Sequence, residues 1–203
     1  MKKIMFSDNS RLTDAVLDGR KTMTRRFIDG EYVKVEAYRV QGGWCFIGET
    51  KDGDTVELKP NYRLGEIVAV AQCYCNVYPL LDLEKLRVSN GYLMESAGWN
   101  NKMFVRADYM PHQIRITGVN VERLWDISDA ECLEEGVQMV KTQFGVRYVA
   151  GGGKVPSVEV PLSSKCSFGT PRAAFVALIN SVSGRGTYER NPWVFVYKFE
   201  LLK

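Results

Sequence analysis

The sequence predicts an α+β fold that is mostly strand: a small, mostly antiparallel β-barrel with about three helices packed around it. Three observations carry this. Short runs rich in β-branched and aromatic residues recur between glycine-bearing turns. Only three segments combine helical periodicity with capping residues. Strands and helices do not alternate in the βαβ manner, which argues against a doubly wound sheet. The 203 residues suit one domain. A content of 45% hydrophobic and 25% charged residues excludes a largely disordered chain.

The first helix is signalled by the cap oxygens of Ser7, Asp8, Asn9 and Ser10, then by Leu12, Ala15 and Val16 at helical spacing. Gly19 stands where a helix-ending glycine belongs, so the following RKTMTRR leaves as a loop or strand. Residues 31–75 read as β. YVKVEAYRV, GWCFIGET and DTVELK are separated by Gly42-Gly43 and Asp52-Gly53, pairs that favour tight turns. Leu64-Gly65-Glu66 then turns the chain into IVAVAQCY, an apolar strand without alternation, expected to be buried on both faces.

Residues 76–101 are irregular, with one short helix expected around Leu83–Val88. KMFVRA and QIRITGVNVERL read as strands. In the second, the apolar phase changes at Gly118, which predicts a glycine-centred bulge. The second helix opens on Ser128-Asp129-Ala130-Glu131, a capping box, and ends near Glu135-Gly136. Residues 137–169, with Gly151-Gly152-Gly153 and little periodicity, read as a long insertion or flap, and Gly-Gly-Gly-Lys lacks the spacing of a phosphate loop. The third helix has Thr170 as N-cap, Pro171 at its first position, Ala174, Leu178 and Val182 on one stripe, and Gly184 at its close. The last strand, NPWVFVYKFELL, puts Trp193, Phe195, Tyr197, Phe199 and Leu201 on one face.

Bulk charge says little about partners: 27 Lys plus Arg against 24 Asp plus Glu gives +3. No apolar run approaches the roughly 18 residues a membrane helix needs. MKKIMFSDNS has no apolar stretch after its lysines, so a signal peptide is not expected and a cytoplasmic setting is. Five cysteines, an odd number, point to free thiols. Cys73 and Cys75 would share one face of a strand, but a metal would need two more ligands and His112, the single histidine, is distant in sequence. No metal and no other cofactor is expected. Trp193 reads as core and Trp125 as a staple beside the helix cap. Trp44 and Trp99 near turns are open to either packing or base stacking, and His112 reads as a surface or hydrogen-bonded residue.

Chemistry concentrates in Gly19-Arg20-Lys21-Thr22-Met23-Thr24-Arg25-Arg26, with four cations and two hydroxyls directly after a helix end. In extended chain Arg20, Thr22, Thr24 and Arg26 share one side and Lys21, Met23 and Arg25 the other, so a bend is needed to bring Lys21 to Thr24. Charge alone also admits a solvated basic turn.

G-R-K-T-M-T-R-R resembles the G-x-K-x-x-(E/T)-x-R signature of the ASCH superfamily, whose fold is a PUA-like β-barrel. LGEIVAVAQCY, MFVRADYMPHQIRI, VERLWDISDAECLEEGV, FVALINSV and NPWVFVYKFELL follow in the order seen in ASCH-type proteins common in phages and prophages. The resemblance covers most of the chain, with 31–62 and 137–169 insertion-like. It implies a partner that is RNA or a modified nucleoside or nucleotide. One branch of the superfamily is an amidohydrolase acting on N4-acetylcytidine, and its catalytic lysine, threonine and glutamate map onto Lys21, Thr24 and Glu135, with Glu134 the alternative to Glu135. Arg20, Arg25, Arg26, Gln72 and Tyr74 are the implied ligand-binding residues. Phage-type relatives often carry V-R-E-T-W where this chain has V-A-Q-C-Y, so Gln72 replaces a glutamate and Tyr74 a tryptophan. Three functions are thus in play: RNA or nucleotide binding, hydrolysis of an N4-acylcytidine-like amide, and a phage structural or interaction role.

Overall fold

The structure, a computed structural model, describes residues 1–41, 43–143, 145–151 and 167–202. Gly42, Gly152, Gly153, Cys166 and the stretch 152–166 of the expected flap lie outside the described residues. The architecture is α+β with more strand than helix. Ten strands form three sheets among the described residues.

The main sheet is mixed, in the order β1 (Lys2–Ile4), β6 (Ile67–Val70), β7 (Gln113–Arg123), β10 (Trp193–Leu202) and β2 (Met23–Phe27). β1 runs parallel to β6, and the other pairings are antiparallel. β7 and β10 form its long spine. Their register shifts where Lys198 opposes Gly118 and Phe199 opposes Ile116, so Thr117 is the extra residue of a bulge. β1 and β2 are edges, and the described residues do not close into the hydrogen-bonded barrel that was expected.

A second sheet, β3 (Lys34–Val40), β4 (Gly43–Glu49) and β5 (Thr55–Leu58), packs on the first. Its inward residues Val35, Phe46 and Leu58 join the main core, where the Phe46 ring meets Phe195 edge-on at 5.2 Å. Residues 137–151, read from sequence as aperiodic, form a hairpin of β8 (Gln138–Thr142) and β9 (Gly145–Val149). Tyr148 of β9 exchanges backbone bonds with Phe168.

The three expected helices are α1 (Leu12–Leu17), α5 (Asp129–Glu134) and α6 (Pro171–Ser183). The expected cap of α1 is corrected: the helix starts after Arg11, which stands in the left-handed region with a φ of 51°, and none of Ser7, Asp8, Asn9 or Ser10 caps it, Asp8 instead accepting from the Thr13 hydroxyl. The caps of α5 and α6 act as expected. Ser128 Oγ accepts from the Glu131 N–H while Glu131 returns to Ser128, and Thr170 Oγ1 accepts from the Ala173 N–H. α6 buries Ala174, Phe175, Leu178 and Ile179, while Val182 is exposed.

Two strand assignments are corrected. IVAVAQCY is strand only over Ile67–Val70, because its partner β1 is three residues long and β7 pairs only with Ile67–Ala69. Beyond it the N–H groups of Tyr74 and Cys75 go to Gly98 and Trp99 carbonyls, and the chain coils into α2 (Tyr74–Val77). Cys73 and Cys75 therefore do not share a strand face. KMFVRA forms 3₁₀ turns at Lys102–Phe104 and Ala107–Tyr109, because Asn101 Oδ1 and the Tyr74 hydroxyl take the Met103 and Arg106 N–H groups. Two further short helices, α3 (Leu83–Leu86) and α4 (Asn90–Glu95), raise the count above three. This 74–110 region has its own apolar cluster around Tyr74, Val77, Leu93 and Tyr109.

Candidate functional site

The end of α1 delivers Lys21. Gly19 turns with a φ of 72°, and the N–H groups of Arg20 and Lys21 both reach the Ala15 carbonyl at 2.9 Å. The Thr22 N–H then bonds the Glu134 carbonyl at 3.0 Å, which ties this segment to the end of α5. Glu135 caps α5, and Gly136 leaves it with a φ of 107°. A Cβ on Gly136 would lie 2.9 Å from Leu12, so glycine permits both the turn and the close approach.

The consequence is a buried ion pair. Lys21 Nζ donates to Glu135 Oε2 and to the Glu135 carbonyl, each at 2.7 Å, with side chains 2% and 7% exposed. Burial pulls the Lys21 ammonium below the usual lysine range; Glu135 opposes the shift, and Arg26 and Arg25 add to it. The folded chain thus gives up this proton before the unfolded chain does. Stability is therefore expected to rise with pH between the lowered value and the ordinary 10.5. Denaturant unfolding of wild type and Lys21→Met at several pH values tests this, and a wild-type slope that survives the substitution would assign it elsewhere.

Arg25 sits at the centre of the cluster. Its Nε and Nη2 donate to Glu122 Oε1 at 2.9 and 2.6 Å, and Nη2 also reaches Glu131 Oε2 at 3.2 Å. Nη1 donates to Glu135 Oε1 and to Met23 Sδ, both at 3.1 Å. Its side chain is 1% exposed and its guanidinium is fully engaged. Burial alone would lower the Arg25 pKa, but Glu135 and Glu122 outweigh it and raise it. Burial likewise raises Glu122 against the pull of Arg25. On Glu131 burial is outweighed by the Ser128 N–H and Arg25, so its pKa falls.

Glu122 and Glu131 are site residues that sequence reasoning did not single out. Glu131 was visible only as a cap, and it does both jobs. Glu122 pairs across β10 opposite Val194, whose other neighbour is Phe27, two residues from Arg25. That adjacency exists only once the sheet order is known.

A cavity of about 240 Å³ adjoins this pair. Met5, Phe6 and Ser7 after β1, Lys21, Thr24, Arg25 and Arg26 around β2, Glu135, and the α6 residues Phe175, Leu178 and Ile179 contribute to its wall. Strand alternation holds: Lys21 and Arg25 both reach Glu135, while Thr24 and Arg26 face the other way. All four line one cavity, where Lys21 Nζ and the Arg26 guanidinium each stand 5.8 Å from the Phe6 ring.

Thr24 has no side-chain hydrogen bond among the described residues, although it is only 5% exposed. Arg26 is partly buried, with Nη2 on the Met5 carbonyl at 2.7 Å and the Phe6 ring 5.8 Å away. It meets no carboxylate among the described residues, and its buried Nε has no partner there.

The remaining candidates lie apart. Arg20 pairs with Asp18 at 3.0 Å. Glu134 contributes its carbonyl to Thr22. Gln72 faces a different cleft and bonds His112 Nδ1 at 2.7 Å. Tyr74 is buried in the second apolar cluster, with Gly98 packed against its ring. Trp193 is partly buried beneath Arg123, Trp99 packs on Tyr78, and Trp125 and Trp44 stay half exposed. Among the described residues no group of three or more His, Cys, Asp or Glu is placed to hold a metal, and no helix is long and apolar enough to cross a membrane. Compared with known proteins, the chain matches no family model, no curated protein and no solved structure.

Proposed function

We propose that this chain is an ASCH-type, PUA-like domain that binds one nucleotide of RNA, or a modified nucleoside or nucleotide, in the cavity beside Lys21. The observation that carries the reading is Arg26. It is the cation of the motif that meets no carboxylate among the described residues, and it stands at the cavity with a buried, unsatisfied Nε. A guanidinium in that state suits a phosphate or carbonyl oxygen. The volume of about 240 Å³ lies below the roughly 300–1,000 Å³ of drug-sized sites, so one base or nucleoside fits and a strand does not. An extruded base entering such a pocket has physical precedent. In this reading segments 31–62 and 137–169 are additions to one PUA-like barrel whose seam lies between the β1 and β2 edges. A cytoplasmic setting accords with the free thiols of Cys45, Cys73, Cys75 and Cys132.

The test is titration with cytidine monophosphate, cytidine, N4-acetylcytidine and single-stranded RNA over a salt series. Affinity for the phosphorylated ligands should fall as salt rises. Arg26→Ala should weaken cytidine monophosphate about tenfold or more, with the fold intact. No binding at low salt by folded protein overturns the proposal.

A second reading, hydrolysis of an N4-acylcytidine-like amide, is favoured by one observation: the buried Lys21–Glu135 pair shares the cavity with the Thr24 hydroxyl. Lys21, once its proton passes to Glu135, would take the Thr24 proton. Thr24 Oγ1 would attack the acyl carbonyl, and the regained Lys21 proton would leave with the amine. Water would then release the acyl group from Thr24. Turnover of N4-acetylcytidine should fall about a hundredfold or more in Lys21→Met and in Thr24→Val. Turnover that survives both removes these residues from the chemistry.

A further inference from the structure

Three large apolar side chains that line the cavity at Lys21 are left uncovered: Met5 at 39% exposed, Phe27 at 38% and Val182 at 44%. Single apolar residues on a surface are ordinary, but three gathered on one opening mark a place of contact. Phe27 ends the edge strand β2, two residues beyond the engaged Arg25. Val182 carries the apolar stripe of α6 past the buried Leu178 and Ile179. Met5 follows β1 and gives its carbonyl to Arg26.

Cations stand on both sides of this rim. Inside, Arg26 carries a buried Nε with no partner among the described residues. Outside, α6 ends and the chain turns through Ser183, Gly184 and Arg185. The Thr187 hydroxyl lies 3.0 Å from the Ser183 carbonyl and 2.7 Å from that of Gly184, which pins the turn to the helix end. Ser183 lines the cavity. Arg185, two residues on, is exposed and makes no hydrogen bond or ion pair among the described residues.

A cation inside, an uncovered aromatic ring at the mouth and a second cation beyond it follow the repeat of a single-stranded nucleic acid, in which flat rings alternate with phosphates. An apolar peptide would leave both guanidinium groups without an acceptor. A membrane surface calls for a broader apolar face than three residues.

We infer that the nucleotide in the cavity is one link of a single strand, that a neighbouring base stacks on Phe27 between Met5 and Val182, and that Arg185 takes a flanking phosphate. The inference rests on the nucleotide reading of the cavity and narrows its ligand from a free nucleoside or nucleotide to an oligonucleotide.

The experiment titrates wild type, Phe27→Ala and Arg185→Ala with cytidine 5′-monophosphate and with tricytidylate bearing the same 5′ phosphate, over a salt series. Wild type should bind the trinucleotide about tenfold or more tighter than the mononucleotide. Phe27→Ala should remove most of that ratio, and Arg185→Ala should make the salt slope for the trinucleotide shallower by about 0.7. Both positions are exposed, so unfolding midpoints should stay near wild type. A wild-type ratio under about threefold, a ratio that Phe27→Ala leaves unmoved, or a slope that Arg185→Ala leaves unmoved overturns the inference, and the nucleotide reading then stands on the mononucleotide alone. Binding of neither ligand overturns both.

Discussion

Arg25→Leu is expected to destabilise the fold by about 3–5 kcal/mol, the range seen when one member of a buried ion network is removed. The guanidinium holds Glu122, Glu131 and Glu135 at 2.6, 3.2 and 3.1 Å. Without it, three carboxylates crowd a region largely shut from water, and Glu135 keeps only Lys21. Leucine fills part of the volume, but it supplies none of the donors. The loss should depend on pH. Like charges raise the folded-state carboxylate pKa values, so the variant binds protons on folding and regains stability as the pH falls toward the raised values. Urea unfolding at about pH 7.5 and about pH 5 should show a smaller gap from wild type at the lower pH. A gap of under about 1 kcal/mol at neutral pH would mean the acids are solvated and the network contributes little.

Glu135→Ala is the second. It removes the partner that Lys21 and Arg25 share, and it should also cost about 3–5 kcal/mol. Glu135→Gln should cost less, because an amide oxygen still accepts from one of the two cations. The pH signature runs opposite to that of Arg25→Leu. Loss of the countercharge lowers the Lys21 pKa further, so Glu135→Gln should gain stability relative to wild type as pH rises from about 6 to about 9. The effects of Arg25 and Glu135 substitutions should not add, since each already breaks the same contact. A double variant whose loss equals the sum of the singles would show that the two side chains act independently.

Arg25→Leu and Arg26→Ala together separate stability from ligand binding. Arg25 has no donor left over for a ligand, whereas Arg26 carries an unsatisfied Nε at the cavity. Two adjacent arginines in one motif thus have different duties. The +3 balance hides this. Three of the four cations between Arg20 and Arg26 are met by Asp18, Glu122, Glu131 and Glu135, and the fourth, Arg26, meets no carboxylate among the described residues.

Short-range chemistry made the helix ends and strand faces legible from the residues alone. Ser128 with Glu131, and Thr170 with Pro171, start their helices through bonds that span three residues. Gly19 and Gly136 end theirs through backbone angles that other residues adopt only with strain. The alternation in β10 follows from strand geometry alone, and so does the common reach of Lys21 and Arg25. The paths of AQCY and KMFVRA were settled by long-range contacts, since their fate depends on strand partners and carbonyls far along the chain. Tertiary packing alone brought Glu122 and Glu131 to Arg25, parted Gln72 and Tyr74 from Lys21, and set Thr24 and Lys21 on one cavity. Caps and turns are written in neighbouring residues. Ion pairs and cavities depend on which strand lies next to which, and that order is settled by burying a shared core across distances no local pattern records.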